Sequence, residues 1–194
     1  MARPREFDIE TVLMQSMNVF WMKGYKATSL EDLMNATQLN KQSLYCAFGD
    51  KRSLFLKVLE FYRTQRLASL ETNLSKGDNV LEAVHQVLKS SIIREPEDER
   101  PPGCLYVSTA LEFGSFDAEI TQEVNKMFEK FEALLTHVVE RGQQNGGIST
   151  KFSASVIAKS ILNTLMGLRV LEKRGVPLSE MEAVLTMCME TVRA

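Results

Sequence analysis

A chain of 194 residues that is 44% hydrophobic and 25% charged has enough apolar side chains for a sizeable core, which excludes a disordered or fibrous polypeptide. Its net charge of −2 excludes a polycation that grips nucleic acid over its whole surface. The first 52 residues carry seven basic and six acidic side chains, so any basic footprint is local. No run approaches the ~18 apolar residues of a membrane span, and Met1 to Glu6 lacks the apolar centre of a secretion signal. Cys46, Cys104 and Cys188 are odd in number and form no C-x-x-C pair. The expectation is a reduced, cytoplasmic protein with no membrane partner, disulfide framework, metal or cofactor.

A basic arm, Arg3-Pro4-Arg5, precedes the first periodic segment. From Asp8 to about Tyr25, the residues Ile9, Val12, Leu13, Met17, Phe20 and Trp21 recur at three- and four-residue steps, an amphipathic helix that Gly24 ends. Thr28 or Ser29 caps the next helix, Asp32 lies at capping-box distance from Ser29, and Leu30, Leu33 and Met34 share one face. A turn through Thr37, Gln38 and Leu39 leads to Asn40, which caps a helix of about two turns before Gly49. Helices this short are marginal alone, so their neighbours must hold them. Two short helices and a tight turn, the second helix polar on its outer face, make the geometry of a helix-turn-helix reader of DNA. Its base-reading residues are expected at the start of the second helix: Asn40, Lys41, Gln42 and Ser43.

Asp50 opens a helix reaching about Asn73, long enough to link two parts of the molecule. Further helices are expected at about 78–93, 104–113, 117–141, 153–174 and 177–192, with a charged, proline-rich loop over 94–103. No stretch alternates like a strand, and no long repeat appears. The expected fold is all-α with about nine helices. The expected division is residues 1–52 as an N-terminal helix-turn-helix DNA-binding domain and residues 53–194 as a larger helical domain.

Eight features in register carry a resemblance: Gly24-Tyr25, Thr28-Ser29-Leu30, Asp32-Leu33, Ala36-Thr37, Leu39-Asn40-Lys41, Ser43-Leu44-Tyr45, Phe48-Gly49-Asp50-Lys51 and Leu54-Phe55. Over roughly residues 8–60 the chain resembles the TetR/AcrR family of transcriptional repressors, and the remainder is similar in helix number and order. The resemblance implies a homodimer on double-stranded operator DNA, with Thr28, Ser29, Tyr45 and Lys51 on the phosphate backbone. Two residues depart from the family pattern, because glycine is common where Gln38 and Gln42 stand. Gln38 is expected in a left-handed turn at a cost of about 1 kcal/mol. Gln42 offers an amide that suits adenine N6 and N7. Arg3 and Arg5 are candidates for an adjacent minor groove.

The resemblance also implies a small effector, bound in the helical body, that tilts the linker helix. Phe61, Phe113, Phe116, Met127, Phe128, Phe131 and Met166 are the candidate walls, suited to an apolar or aromatic ligand. Cys104 follows Arg100-Pro101-Pro102-Gly103 at a helix start, where the dipole and an arginine favour a thiolate that meets electrophiles or oxidants. The last two helices are apolar on more than one side. Ile157, Ile161, Leu165, Leu168, Val184 and Cys188 are therefore expected to face a symmetry mate. Two other classes compete: a helical interaction module without DNA affinity, and a thiol enzyme using Cys104.

Overall fold

The computed structural model describes residues 7–75, 79–93 and 100–194. Among these it contains nine helices: α1 (Ile9–Lys23), α2 (Leu30–Thr37), α3 (Lys41–Phe48), α4 (Lys51–Leu74), α5 (Val80–Ile92), α6 (Leu105–Phe113), α7 (Ala118–Gln144), α8 (Ala154–Lys173) and α9 (Leu178–Val192). Each expected helix is present. Arg3, Arg5 and most of the charged 94–103 loop lie outside the described residues.

The boundaries follow local chemistry. Asp8, Ser29, Asn40, Asp50, Asn79, Asp117 and Ser153 each accept a backbone N–H from the turn they open. Ser29 and Asp32 form the full reciprocal box, aspartate serving where glutamate is more usual. Two eight-residue helices do not persist on caps alone. Leu33 and Leu44, both fully buried, pin α2 and α3 to α1 and α4, each side chain contributing roughly 1.5–3 kcal/mol.

Two apolar clusters build the interior. One joins α1–α3 and the first half of α4 to α6 and the first half of α7. The other joins the end of α4 to α5, the second half of α7, α8 and α9. Helix α4 runs from one cluster into the other, and Phe131 packs against both. The expected division at residue 52 falls inside continuous packing.

Helix α8 is the only described helix whose length and mean hydropathy, 1.3 over its most apolar window, match a membrane-crossing segment. Here α8 packs along α7, and its buried Arg169 and Glu172 pair with each other. The inward part of its apolar surface serves the protein core.

Candidate DNA interface and effector pocket

In the head, α3 turns Lys41, Gln42 and Cys46 outward while Leu44 and Phe48 are buried beneath them. Asn40 caps α3, its Oδ1 accepting the Ser43 N–H at 2.9 Å, so this side chain already serves the backbone. Gln38 adopts φ 55°, the only non-glycine with positive φ among the described residues. Its side-chain amide donates to the Asn35 carbonyl at 2.6 Å, which closes the last turn of α2 and offsets part of the backbone cost. The left-handed turn expected at Gln38 is therefore present, with a compensation that spacing alone did not suggest.

Ser29 is exposed at the start of α2. Lys51 lies at the start of α4 with its ammonium 4.4 Å above the Tyr25 ring, and partial burial lowers its pKa. Tyr45 is half-buried, with the Lys41 ammonium 6.0 Å from its ring centre. Asp32 holds the N-terminal side of the head together: Lys23 first, then Ser29, keeps its carboxyl at about 2. One expectation is corrected. Thr28 is 2% exposed and its hydroxyl donates to the Gly24 carbonyl at 2.6 Å, so it braces the α1–α2 turn from inside.

In the body, a cavity of about 110 Å³ opens at the seam between the two apolar clusters. Met127, Phe128, Phe131 and Met166 wall it, and Cys104 closes one side. The volume is near the ~150 Å³ that accepts benzene and far below the ~300 Å³ where drug-sized pockets begin. Phe61, Phe113 and Phe116 are corrected. Phe61 packs half-buried on the head-side cluster, and Phe113 sits 5.2 Å from Tyr25 and 5.9 Å from Phe55. Phe116 is 92% exposed on the α6–α7 corner.

Tyr62, Arg66, Tyr106 and Arg169 also line the cavity, and sequence reasoning missed their role. A charge within the apolar run of α8 was the available signal for Arg169. Its guanidinium pairs with Glu172 at 2.7 Å and donates to the Ser91 carbonyl, while burial lowers its pKa. Glu172 in turn accepts the Gly103 N–H at 3.0 Å. Gly103 has φ 87°, and a Cβ there would stand 3.2 Å from Lys173 and 3.3 Å from the Arg169 carbonyl. The close approach of this loop to α8 sets Cys104 at the cavity wall, where the Tyr62 hydroxyl lies 3.6 Å from Sγ. Burial also pushes Tyr62 above the ordinary phenol range.

Five of the six expected dimer residues are corrected too. Ile157, Ile161, Leu168 and Cys188 are buried in the protomer's own core, and Leu165 lines the cavity. Val184 is exposed. With it on the outer side of α8 and α9 stand Val156, Val170, Leu178 and Met187, the last 63% exposed. The two helices are apolar on opposite sides, and the inner side covers the chain's own core.

A capped, rigid reading helix on a three-helix head, joined by one helix to a body with a cavity, defines a helix-turn-helix regulator of transcription. Residues 12–58 match the family model described as bacterial regulatory proteins, tetR family, and residues 80–173 match the tetracyclin repressor-like C-terminal domain. The chain is 29% identical to the HTH-type transcriptional regulator YezE of Bacillus subtilis (strain 168), over 77% of each chain. It is 25% identical to the HTH-type transcriptional repressor ComR of Escherichia coli (strain K12), over 93% of this chain and 86% of ComR. A cysteine mutant of the TetR family regulator CifR, solved with 26 bp double-strand operator DNA, shares 30% identity at a TM-score of 0.86, covering 97% of this chain and 98% of that one. The chain belongs to the TetR family. It is a DNA-binding transcriptional regulator and not an enzyme.

Proposed function

We propose that this chain is a cytoplasmic, homodimeric repressor that binds a near-palindromic operator and is released by a small apolar or aromatic molecule in the body cavity. The observation that carries the reading is the pose of α3, whose first turn leaves Lys41 and Gln42 free of the core while Leu44 and Phe48 anchor it. Lys41, Gln42 and Ser43 then read base edges, and Ser29, Tyr45 and Lys51 hold phosphates. Asn40 acts by capping the helix that presents them. The outer side of α8 and α9 supplies the twofold contact. Along α8, Val156, Ser160, Asn163, Gly167 and Val170 recur at helical steps, with small residues between the valines that allow close approach. The repressor named among the relatives and the operator complex of CifR support the same reading.

Fluorescence anisotropy tests it, with duplexes tiling the DNA upstream of the chain's own coding sequence against a random duplex. One tiled duplex is expected to bind at least a hundredfold more tightly than the random one. Equal affinity for every duplex overturns the reading.

A second effector chemistry is favoured by one contact, the Tyr62 hydroxyl beside Cys104 Sγ at the cavity wall. An electrophile that forms a bond to Sγ, the thiol proton and any leaving group departing, places an adduct in the cavity. An oxidant such as a peroxide converts the thiol there to a sulfenic acid as it is itself reduced. Iodoacetamide labelling of Cys104 is then expected to release the bound duplex. Full retention of binding after complete labelling removes this alternative.

A further inference from the structure

Two polar ties join the head to the corner between α6 and α7. One holds the start of α4, through Arg52 to Asp117 and Glu119. The other holds the α1–α2 turn. Glu112, in the last turn of α6, accepts the Tyr25 N–H at Oε2 (2.8 Å) and the Lys26 N–H at Oε1 (2.6 Å). The Lys26 ammonium reaches back to the Glu112 carbonyl at 3.3 Å. The turn is shaped around this carboxylate: Gly24 has φ 80°, and a Cβ there would stand 3.0 Å from Glu112 Oε2. Both carboxylate oxygens bind consecutive backbone amides, so the contact fixes direction as well as distance.

Tyr25 passes the constraint on. Its ring centre lies 5.0 Å from that of Phe55 and 5.2 Å from that of Phe113, and the Lys51 ammonium sits 4.4 Å above it. A carboxylate on α6, outside the helix-turn-helix, therefore sets the turn, the ring and the cation at the start of α4. Helix α3 packs on α2 and α4, so its pose on the body is inherited from these same elements.

We infer that Glu112 is a positioning residue for operator binding, holding the reading head at one angle on the body through the backbone of Tyr25 and Lys26. The inference needs the chain to bind DNA but needs no effector. Its link to Lys51 rests on the phosphate role proposed for that residue.

The test uses the full chain and the tightest duplex that the unmodified protein selects from a randomised pool, beside a scrambled duplex of equal length. Glu112→Ala is expected to weaken the selected duplex roughly tenfold, equal to about 1.4 kcal/mol, and the scrambled duplex less than twofold. Circular dichroism confirms that the variant is folded at the titration temperature, so lost stability alone does not move the ratio. Glu112→Gln keeps one acceptor oxygen and is expected to fall between the two; it carries the test if the alanine variant does not fold. A selected-to-scrambled ratio within twofold of the unmodified protein overturns the inference. Lys51→Ala, measured in parallel, separates the two assignments. If it leaves the salt slope unchanged, the phosphate role fails while the Glu112 result stands by itself.

Discussion

Nε and Nη2 of Arg52 donate to the two carboxylate oxygens of Asp117, both at 2.9 Å, and join the first turn of α4 to the cap of α7 in one planar contact. Arg52 first, then the Ile120 N–H, holds the Asp117 carboxyl at about 2. A carboxyl depressed on folding contributes stability that is complete above its unfolded value of about 4, and that stability is lost as pH falls toward 2. Asparagine caps a helix as well as aspartate but cannot carry the charge. Asp117→Asn is therefore expected to melt a few degrees below the unmodified protein at pH 6, the gap closing as pH falls from about 4 toward 2. Thermal unfolding across that range checks it, and a gap that does not change with pH refutes it.

Gln38 carries a side chain in a left-handed conformation. Glycine there removes a cost of about 1 kcal/mol but also removes the bond to the Asn35 carbonyl. Gln38→Gly is expected to stabilise the chain by a few tenths of a kcal/mol in urea unfolding, the difference between the two. A destabilised variant would mean that the amide bond outweighs the backbone strain.

Gln42 and Lys51 are assigned different tasks and should fail differently. Gln42→Ala is expected to relax preference at one base pair, by about 1–3 kcal/mol, with little change on scrambled DNA. Lys51→Ala should weaken all duplexes alike and lower the slope of log affinity against log salt by about one. Titrations at several salt concentrations read both.

The two sides of α8 and α9 make a matched pair of tests. Val184→Glu charges the exposed side and is expected to yield a folded monomer by analytical ultracentrifugation. Ile157→Ala leaves a hole in the protomer's core and should cost about 2–5 kcal/mol with no change in association. The reverse pattern would put the interface on the side now assigned to the core.

The helices were legible because their signals are local: caps at Ser29, Asn40, Asp50 and Asp117, and apolar steps between them. The left-handed turn at Gln38 was legible too, from the place of glycine in similar proteins. Thr28 shows where local reading stops. A hydroxyl beside a helix start suits a phosphate or a carbonyl equally, and only the neighbouring Gly24 carbonyl decides. Ile157, Ile161, Leu168 and Cys188 show the same limit in α8 and α9. A helix apolar on two sides does not say which side meets the chain's own core. Glu112 lies 87 residues from Tyr25, and no periodicity links a carboxylate to amides so distant.

The apolar cluster that holds Phe20, Leu33 and Leu44 also holds Tyr106, Ile120 and Met127. Residues 1–52 cut from this chain would leave part of their own interior behind and present a bare apolar floor to water. An exchange of reading heads between such regulators therefore keeps this interior only where the α6 and α7 face of the new body matches it. A cut at residue 52 divides one core between its two parts, so the seating of this DNA reader depends on side chains far along the chain, Tyr106, Ile120 and Met127 among them.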